Sequence, residues 1–282
     1  AVNWALQKVK SPYALVTNFD VVLEEECLRE LRCCLERHPQ AGGVCPKSYL
    51  ADYPGILDSA GIMLDGFLQA SNRGIGMIDI GQFDTEEQLP ALTFSCVLLR
   101  MEAVKRIGGL NPSFFLYYED VEWCLRAVKA GYTFFTCPGA KIRHIHSATA
   151  RTIPPDIKRF LLRSNLLRTA FLHLPLADFF HILWFHFLLF FPFRFPCSFA
   201  IFMDFFLHIP YLLLGRIRNR KIPWRTFVRE ARDEWELFDP VSLQPVGGLL
   251  SLIASLSKRW EIAPEKASFF LLKKMLAGLS RQ

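Results

Sequence analysis

None of the eight cysteines pairs with another as C-x-x-C, so neither a zinc nor a disulfide framework is legible, and a reduced, cytosolic setting is the default. Long charge-free apolar runs are missing as well. The most apolar stretch, 179–214, is interrupted by Pro192, Arg194, Pro196, Asp204 and Pro210. Its charge-free pieces, 179–193, 195–203 and 205–215, each fall short of the roughly 20 residues that a membrane-spanning helix needs. The opening Ala1-Val2-Asn3-Trp4-Ala5-Leu6 has neither an initiator Met nor the shape of a signal peptide and reads as the interior of an amphipathic helix, so a missing N-terminal portion is expected. Positive charge is scarce in the first half: residues 1–140 carry 12 Lys and Arg against 17 Asp and Glu, whereas 141–282 carry 21 against 10. The halves therefore stand at −5 and +11 and together give the net +6. A basic, aromatic, apolar second half suits an anionic membrane surface, while a nucleic-acid face has no use for long apolar runs.

What is present centres on Phe114-Phe115-Leu116-Tyr117-Tyr118-Glu119-Asp120-Val121-Glu122-Trp123-Cys124-Leu125-Arg126, where two adjacent carboxylates stand behind an aromatic wall and in front of a helix. Val121, Cys124, Leu125 and Val128 recur at i, i+3, i+4 and i+7, the spacing of one buried helical stripe. Glu122, Arg126 and Lys129 fall on the other side, and Gly131 closes the helix. Asp120 comes at or just before the first turn, where free N–H groups and the positive end of the helix dipole keep a carboxylate ionised. Two roles are open to it: a helix cap, or a base that takes a proton from a docked hydroxyl.

The 282 residues leave room for one large domain or two modest ones. Tyr13 to Thr17 reads as a buried strand ending at Asn18-Phe19-Asp20, which is either a plain turn or a metal or phosphate site at a strand end. Residues 23–38 read as a helix with an acidic first turn and Arg37-His38 at its end, and 41–46 as a turn and short strand. Strand, helix, strand is the repeating unit of an α/β sheet. A loop-rich stretch from Asp52 to Pro90 follows, then a strand over 92–99, a short helix over 102–106, and after the central helix two short strands, 132–136 and 140–143. His144 and His146, two apart at a strand end, face one side and form either a ligand pair or a surface coincidence.

Taken in order, Thr17-Asn18-Phe19-Asp20, Asp58-Ser59-Ala60-Gly61, Arg73-Gly74, Gly81-Gln82-Phe83-Asp84, the 115–126 segment, Pro138 and His144 resemble family 2 glycosyltransferases of the GT-A fold, in particular the bacterial branch that includes rhamnosyltransferase-like enzymes. The resemblance covers residues 1–150. It implies an α/β, Rossmann-like, three-layer transferase domain over 1–155 that holds the metal and acceptor side of the site, its first strand and most of its nucleotide side lying before Ala1. It further implies that Asp20, the last acid of a DxD-type motif, and His144 hold Mg²⁺ or Mn²⁺ on the diphosphate of a nucleotide-sugar donor. Asp120 would be the base for inverting attack by the acceptor hydroxyl, with Glu119 and Trp123 positioning the acceptor. Asn18, Tyr118, Arg126, Asp58 and Arg73 fall at motif positions taken as substrate-binding. Phe19 and Glu122 stand where that branch usually has Pro and Asp.

Residues 156–282 are expected to form a mainly α-helical, basic and aromatic membrane-associated region. Arg159, Arg163 and Arg168 precede the apolar stretch and Arg216, Arg218, Arg220 and Lys221 follow it, so a single span would place positive charge on both sides of the bilayer. In-plane helices or a re-entrant hairpin leave both ends in the cytoplasm. Phe269, Leu272, Met275, Leu276 and Leu279 repeat with helical spacing beside Lys266, Lys273 and Lys274, which suits anionic lipid or packing on the catalytic domain. The expectation is therefore a metal-dependent glycosyltransferase at the cytoplasmic face of the cell membrane, with a glycan or lipid-linked acceptor and membrane lipids as partners and no nucleic acid. Two alternatives are a non-catalytic membrane scaffold and a metal-binding protein built on Asp20, His144 and His146.

Overall fold

The structure, a computed structural model, describes residues 1–145, 153–190 and 195–218. A short helix, α1 (Val2–Leu6), leads into strands β1 (Tyr13–Thr17) and β2 (Val21–Leu23), helix α2 (Cys27–Arg37) and the long strand β3 (Ala41–Leu50). Short strands β4 (Leu57–Ser59), β5 (Ile62–Leu64) and β6 (Ala70–Asn72) punctuate the loop-rich stretch. Then come β7 (Cys96–Arg100), α3 (Met101–Ile107), α4 (Glu119–Lys129), β8 (Thr133–His144), α5 (Pro155–His173), α6 (Leu176–Phe190) and α7 (Phe195–Arg218).

The main sheet runs β1-β7-β3-β8-β2, with β4 also on β3. Only β3 and β8 pair in parallel; β7 lies antiparallel to both β1 and β3, and β2 antiparallel to β8. Alternation along the strands fills both faces. Val44, Cys96 and Leu98 pack with Leu31, Cys34 and Leu35 of α2, whereas Cys45, Val97 and Leu99 join the core that holds Val121, Trp123 and Leu125 of α4. That is the three-layer α/β arrangement expected.

Two differences concern the site. The strands expected at 132–136 and 140–143 are one strand, β8, with its register on β3 jumping from Pro46↔Cys137 to Lys47↔Lys141. Pro138 and Gly139 are absorbed as a bulge instead of ending the strand. The helical region also differs from its charge pattern, since α7 continues through Asp204 and Pro210. Asp204 does not break it because Arg168 of α5 donates to both of its carboxylate oxygens, at 2.7 and 2.8 Å. Among the described residues no helix is long and apolar enough to cross a membrane. Leu166, Leu167, Ala170, Phe171, Phe179 and Phe205 share one hydrophobic cluster with α4, so the core is continuous across residue 155. His146, Arg220, Lys221 and the 266–279 repeat lie outside the described residues.

Candidate active site

Pairing of β2 with β8 sets Val21 opposite His144, which brings Asp20, one residue earlier, beside the imidazole. His144 Nε2 lies 3.4 Å from Asp20 Oδ1, and Nδ1 lies 2.9 Å from Asp58 Oδ2. Ser48 Oγ donates to the same Asp58 oxygen at 2.9 Å. Burial disfavours a charged imidazole here, but the Asp58 hydrogen bond and charge, then Asp20, outweigh it and raise the pKa of His144 above its ordinary value.

These residues suit a hard cation. Asp20 Oδ1 is buried and accepts no hydrogen bond at ordinary distance, with the imidazole Nε2 of His144 3.4 Å away. An imidazole nitrogen faces it, and a buried carboxylate stands behind the imidazole, the backing that metal-binding histidines use to fix their tautomer. Asp58, expected to touch substrate, is 1% exposed and engaged on both sides, so it orients His144.

The acidic pair opens α4. The N-cap is Tyr118, so Asp120 lies inside the first turn of the helix. Tyr117 and Tyr118 both adopt left-handed backbone, φ 68° and 67°. Bulky side chains rarely take that conformation, and consecutive examples persist only where the surroundings impose them. The constraints are visible. Asn165 of α5 donates to the carbonyls of Leu116 and Tyr117, both at 2.9 Å. Tyr118 Oη donates to Leu68 O at 3.0 Å and accepts from Ala70 N at 3.1 Å, so this buried phenol holds the β5–β6 loop and is not free for substrate.

Asp120 Oδ1 accepts from Val121 N at 2.8 Å, and the backbone of Phe94 also favours the charged carboxylate. Glu119 Oε2 and the Tyr117 hydroxyl are buried without a hydrogen bond. The helix dipole was expected to keep Asp120 readily ionised. Burial wins instead: Asp120 is pushed up to about 6, and Glu119 to about 7 by burial and then by the charge of Asp120. A carboxylate of raised basicity that is still largely ionised near neutral pH is suited to accept a proton.

Residues 94–95 connect the two halves of the site. The backbone of Phe94 favours the ionised form of Asp120, while Ser95 O accepts from Asn18 N at 2.8 Å and from Thr17 Oγ1 at 3.2 Å. The Asn18-Phe19-Asp20 turn and the Asp120 carboxylate are thus both placed next to the 94–95 segment.

Two residues expected at the substrate turn inward. Trp123 is fully buried between Phe94 and Phe134 and donates Nε1 to Gly108 O at 3.0 Å. Arg126 grips Glu122 through Nε and Nη2 and donates to the carbonyls of Ile107 and Gly109, both at 2.7 Å. Glu122, expected on the polar face, is buried because Arg126 and His173 of α5 satisfy it. Arg73 lies with its guanidinium 4.5 Å over the Phe83 ring and bonds Glu87 at 2.9 Å, leaving a buried Nη1 without a hydrogen bond. Asn18 is exposed beside Asp20. Asn165 and Ser48 went unnoticed in the sequence; an Asn inside the apolar run Leu161-Leu162-Arg163-Ser164-Asn165-Leu166-Leu167 is the signal that was there.

A sheet with both faces covered carries an acid-imidazole pair at one strand end and a carboxylate pair of raised pKa at a neighbouring helix start. The chain belongs to the glycosyl transferase family group 2, whose family model matches residues 19–217. It is similar to the low-salt glycan biosynthesis hexosyltransferase Agl10 of Haloferax volcanii, 26% identical over 141 residues that make up 48% of this chain and 43% of that protein. It is also 35% identical over 60 residues to the N-acetylglucosaminyl-diphospho-decaprenol L-rhamnosyltransferase of Mycobacterium tuberculosis, covering 21% of this chain and 20% of that one. The chain therefore spans less than half the length of these relatives. Among solved structures it is similar to GalNAc-T7 with UDP, GalNAc and Mn²⁺ (TM-score 0.46, 10% identity, 60% of this chain and 33% of that one). It is similar too to S. aureus TarS 1-349 (TM-score 0.37, 14% identity, 84% and 71%).

Proposed function

We propose that this chain carries the metal and acceptor side of an inverting glycosyltransferase that moves a sugar from a nucleotide-sugar donor to a hydroxyl of a lipid-linked or cell-surface glycan. The observation that carries the reading is the joining of the Glu119–Asp120 pair to the Asp20–His144–Asp58 group through residues 94–95. Asp120 accepts the proton of the acceptor hydroxyl as that oxygen attacks the anomeric carbon and the diphosphate departs. Glu119, buried with one oxygen unpaired, raises the basicity of the pair and presents an acceptor to a second sugar hydroxyl. Asp20 and His144 would hold Mg²⁺ or Mn²⁺, which supplies charge neutralisation for the leaving diphosphate. Asp58 and Ser48 keep His144 turned toward Asp20. Asn18 and the unpaired Nη1 of Arg73 remain as substrate contacts.

Membrane association belongs to the same reading. The helices α6 and α7 leave Phe180, Trp184, Phe206, Leu207 and Leu214 exposed, and basic Arg159 and Arg163 lie on the neighbouring α5. Helices of that character lie in the headgroup plane, at the cytoplasmic face, where a lipid-linked acceptor is within reach. The names of the relatives make a hexose the expected sugar and L-rhamnose the first donor to offer. The test uses full-length protein with membranes and a panel of nucleotide-sugars, reading the anomeric configuration of the product by NMR. Inverted product formed only with added divalent cation is the expected result; retained configuration would sink the base assignment.

A further inference from the structure

Away from this site, the last turn of α2 carries a second set of donor atoms. Cys34 and His38 lie one helical turn apart on the same face, and Glu86 reaches them from the loop before β7. One ligand atom from each falls within 4.8 Å of the other two. His38 Nε2 and Glu86 Oε2 share a proton at 2.8 Å. The other Glu86 oxygen is held by Arg37, and the His38 ring stacks on Phe135 with centroids 3.7 Å apart, so both side chains are already oriented. Beneath them lies the buried Cys34 thiol, and the thiol of Cys137 on β8 donates to Glu30 O of α2 at 3.4 Å. Cys137 and His144 are separated by roughly 20 Å of strand, which makes this a different place from the Asp20–His144 pair.

We propose that Cys34, His38 and Glu86, with a solvent molecule as fourth ligand, form a structural Zn²⁺ site that pins the 84–87 loop to α2. Thiolate, imidazole and carboxylate together suit a borderline-soft cation in tetrahedral geometry, and not the hard Mg²⁺ of a phosphate site. Binding replaces the proton between His38 and Glu86 and the thiol proton of Cys34, both of which leave to solvent. His38 and Glu86, each 27% exposed at the side chain, give the ion its way in. The competing description is an Arg37–Glu86–His38 surface ion pair lying over a core cysteine.

Co²⁺ titration of the full chain, kept reduced with a phosphine, separates the two. The site gives a near-ultraviolet thiolate-to-cobalt band that saturates at one equivalent and vanishes when Zn²⁺ is added. Cys34→Ala and His38→Gln each lose the band while keeping the wild-type circular dichroism. Cobalt at Asp20 and His144 has no sulfur ligand, so it produces no such band and a failure of the transferase reading leaves this result intact. Absence of the band, or a band that survives in both variants, overturns the proposal. Should Cys34→Ala not fold, His38→Gln at the accessible rim decides alone.

Discussion

At the residue scale, a carboxylate behind an imidazole fixes which ring nitrogen is free to meet a cation. Asp58 does this for His144, and the pairing spans 86 positions of chain, so nothing in the local pattern Asp58-Ser59-Ala60-Gly61 reveals it. Asp58→Asn should therefore weaken Mn²⁺ binding by about 10–100-fold, measured by calorimetry, with the fold intact. The acidic pair makes a prediction of sign. Folded Asp120 and Glu119 hold protons to about 6 and about 7, above the ordinary 3.8 and 4.5 of these side chains. The folded state thus binds more protons than the unfolded chain across that window, and stability falls as pH rises through it. Asp120→Asn removes part of this penalty, so its melting temperature above about pH 7 should exceed that of wild type, while the difference closes below about pH 4. A lower melting temperature at neutral pH would contradict the buried, raised-pKa description.

At the element scale, the start of α4 depends on what packs against it. The paired left-handed tyrosines are held by Asn165 from α5, and Asn165→Ala frees two carbonyls and the turn they belong to. Displacing a base by a fraction of an ångström is costly, and kcat should fall roughly tenfold to a hundredfold with donor KM nearly unchanged. The Arg126–Glu122–His173 network fastens the other end of this packing. Glu122→Ala, which strands buried cationic and imidazole groups, should lower stability by about 3–5 kcal/mol in urea titration. Much of the architecture was legible: a 3.6-residue repeat located α4, charges matched to the helix dipole located α2, and an apolar run bounded by turn residues located β1. What escaped was pairing. Trp123 and Arg126 read as substrate groups because composition names a side chain without its partner, and here the partners are the carbonyls of Gly108, Ile107 and Gly109. The β8 bulge escaped for the same reason, since Pro138-Gly139 signals a break unless the neighbouring strand is known.

At the scale of the whole molecule, the motifs interlock with one another. Gly74 holds φ at +75°, and a Cβ there would meet the Phe83 ring, on which Arg73 also stacks, while Asp84 pairs with the buried Lys47. The site's surroundings are thus one packed unit. The proposed metal and acceptor sides approach one another at Phe94 and Ser95. The exposed aromatic face of α6 and α7 predicts that Trp184 fluorescence shifts blue on adding anionic vesicles and not neutral ones; no shift with either would leave membrane attachment without support. The most direct test of the central claim is metal-dependent turnover of the preferred nucleotide-sugar by the full-length protein, wild type against Asp120→Asn. A base at Asp120 predicts a fall in kcat of about 10²–10⁴ with donor KM little changed. An unaltered kcat in a folded variant would contradict it, and would return Asp120 to a purely structural place at the head of α4.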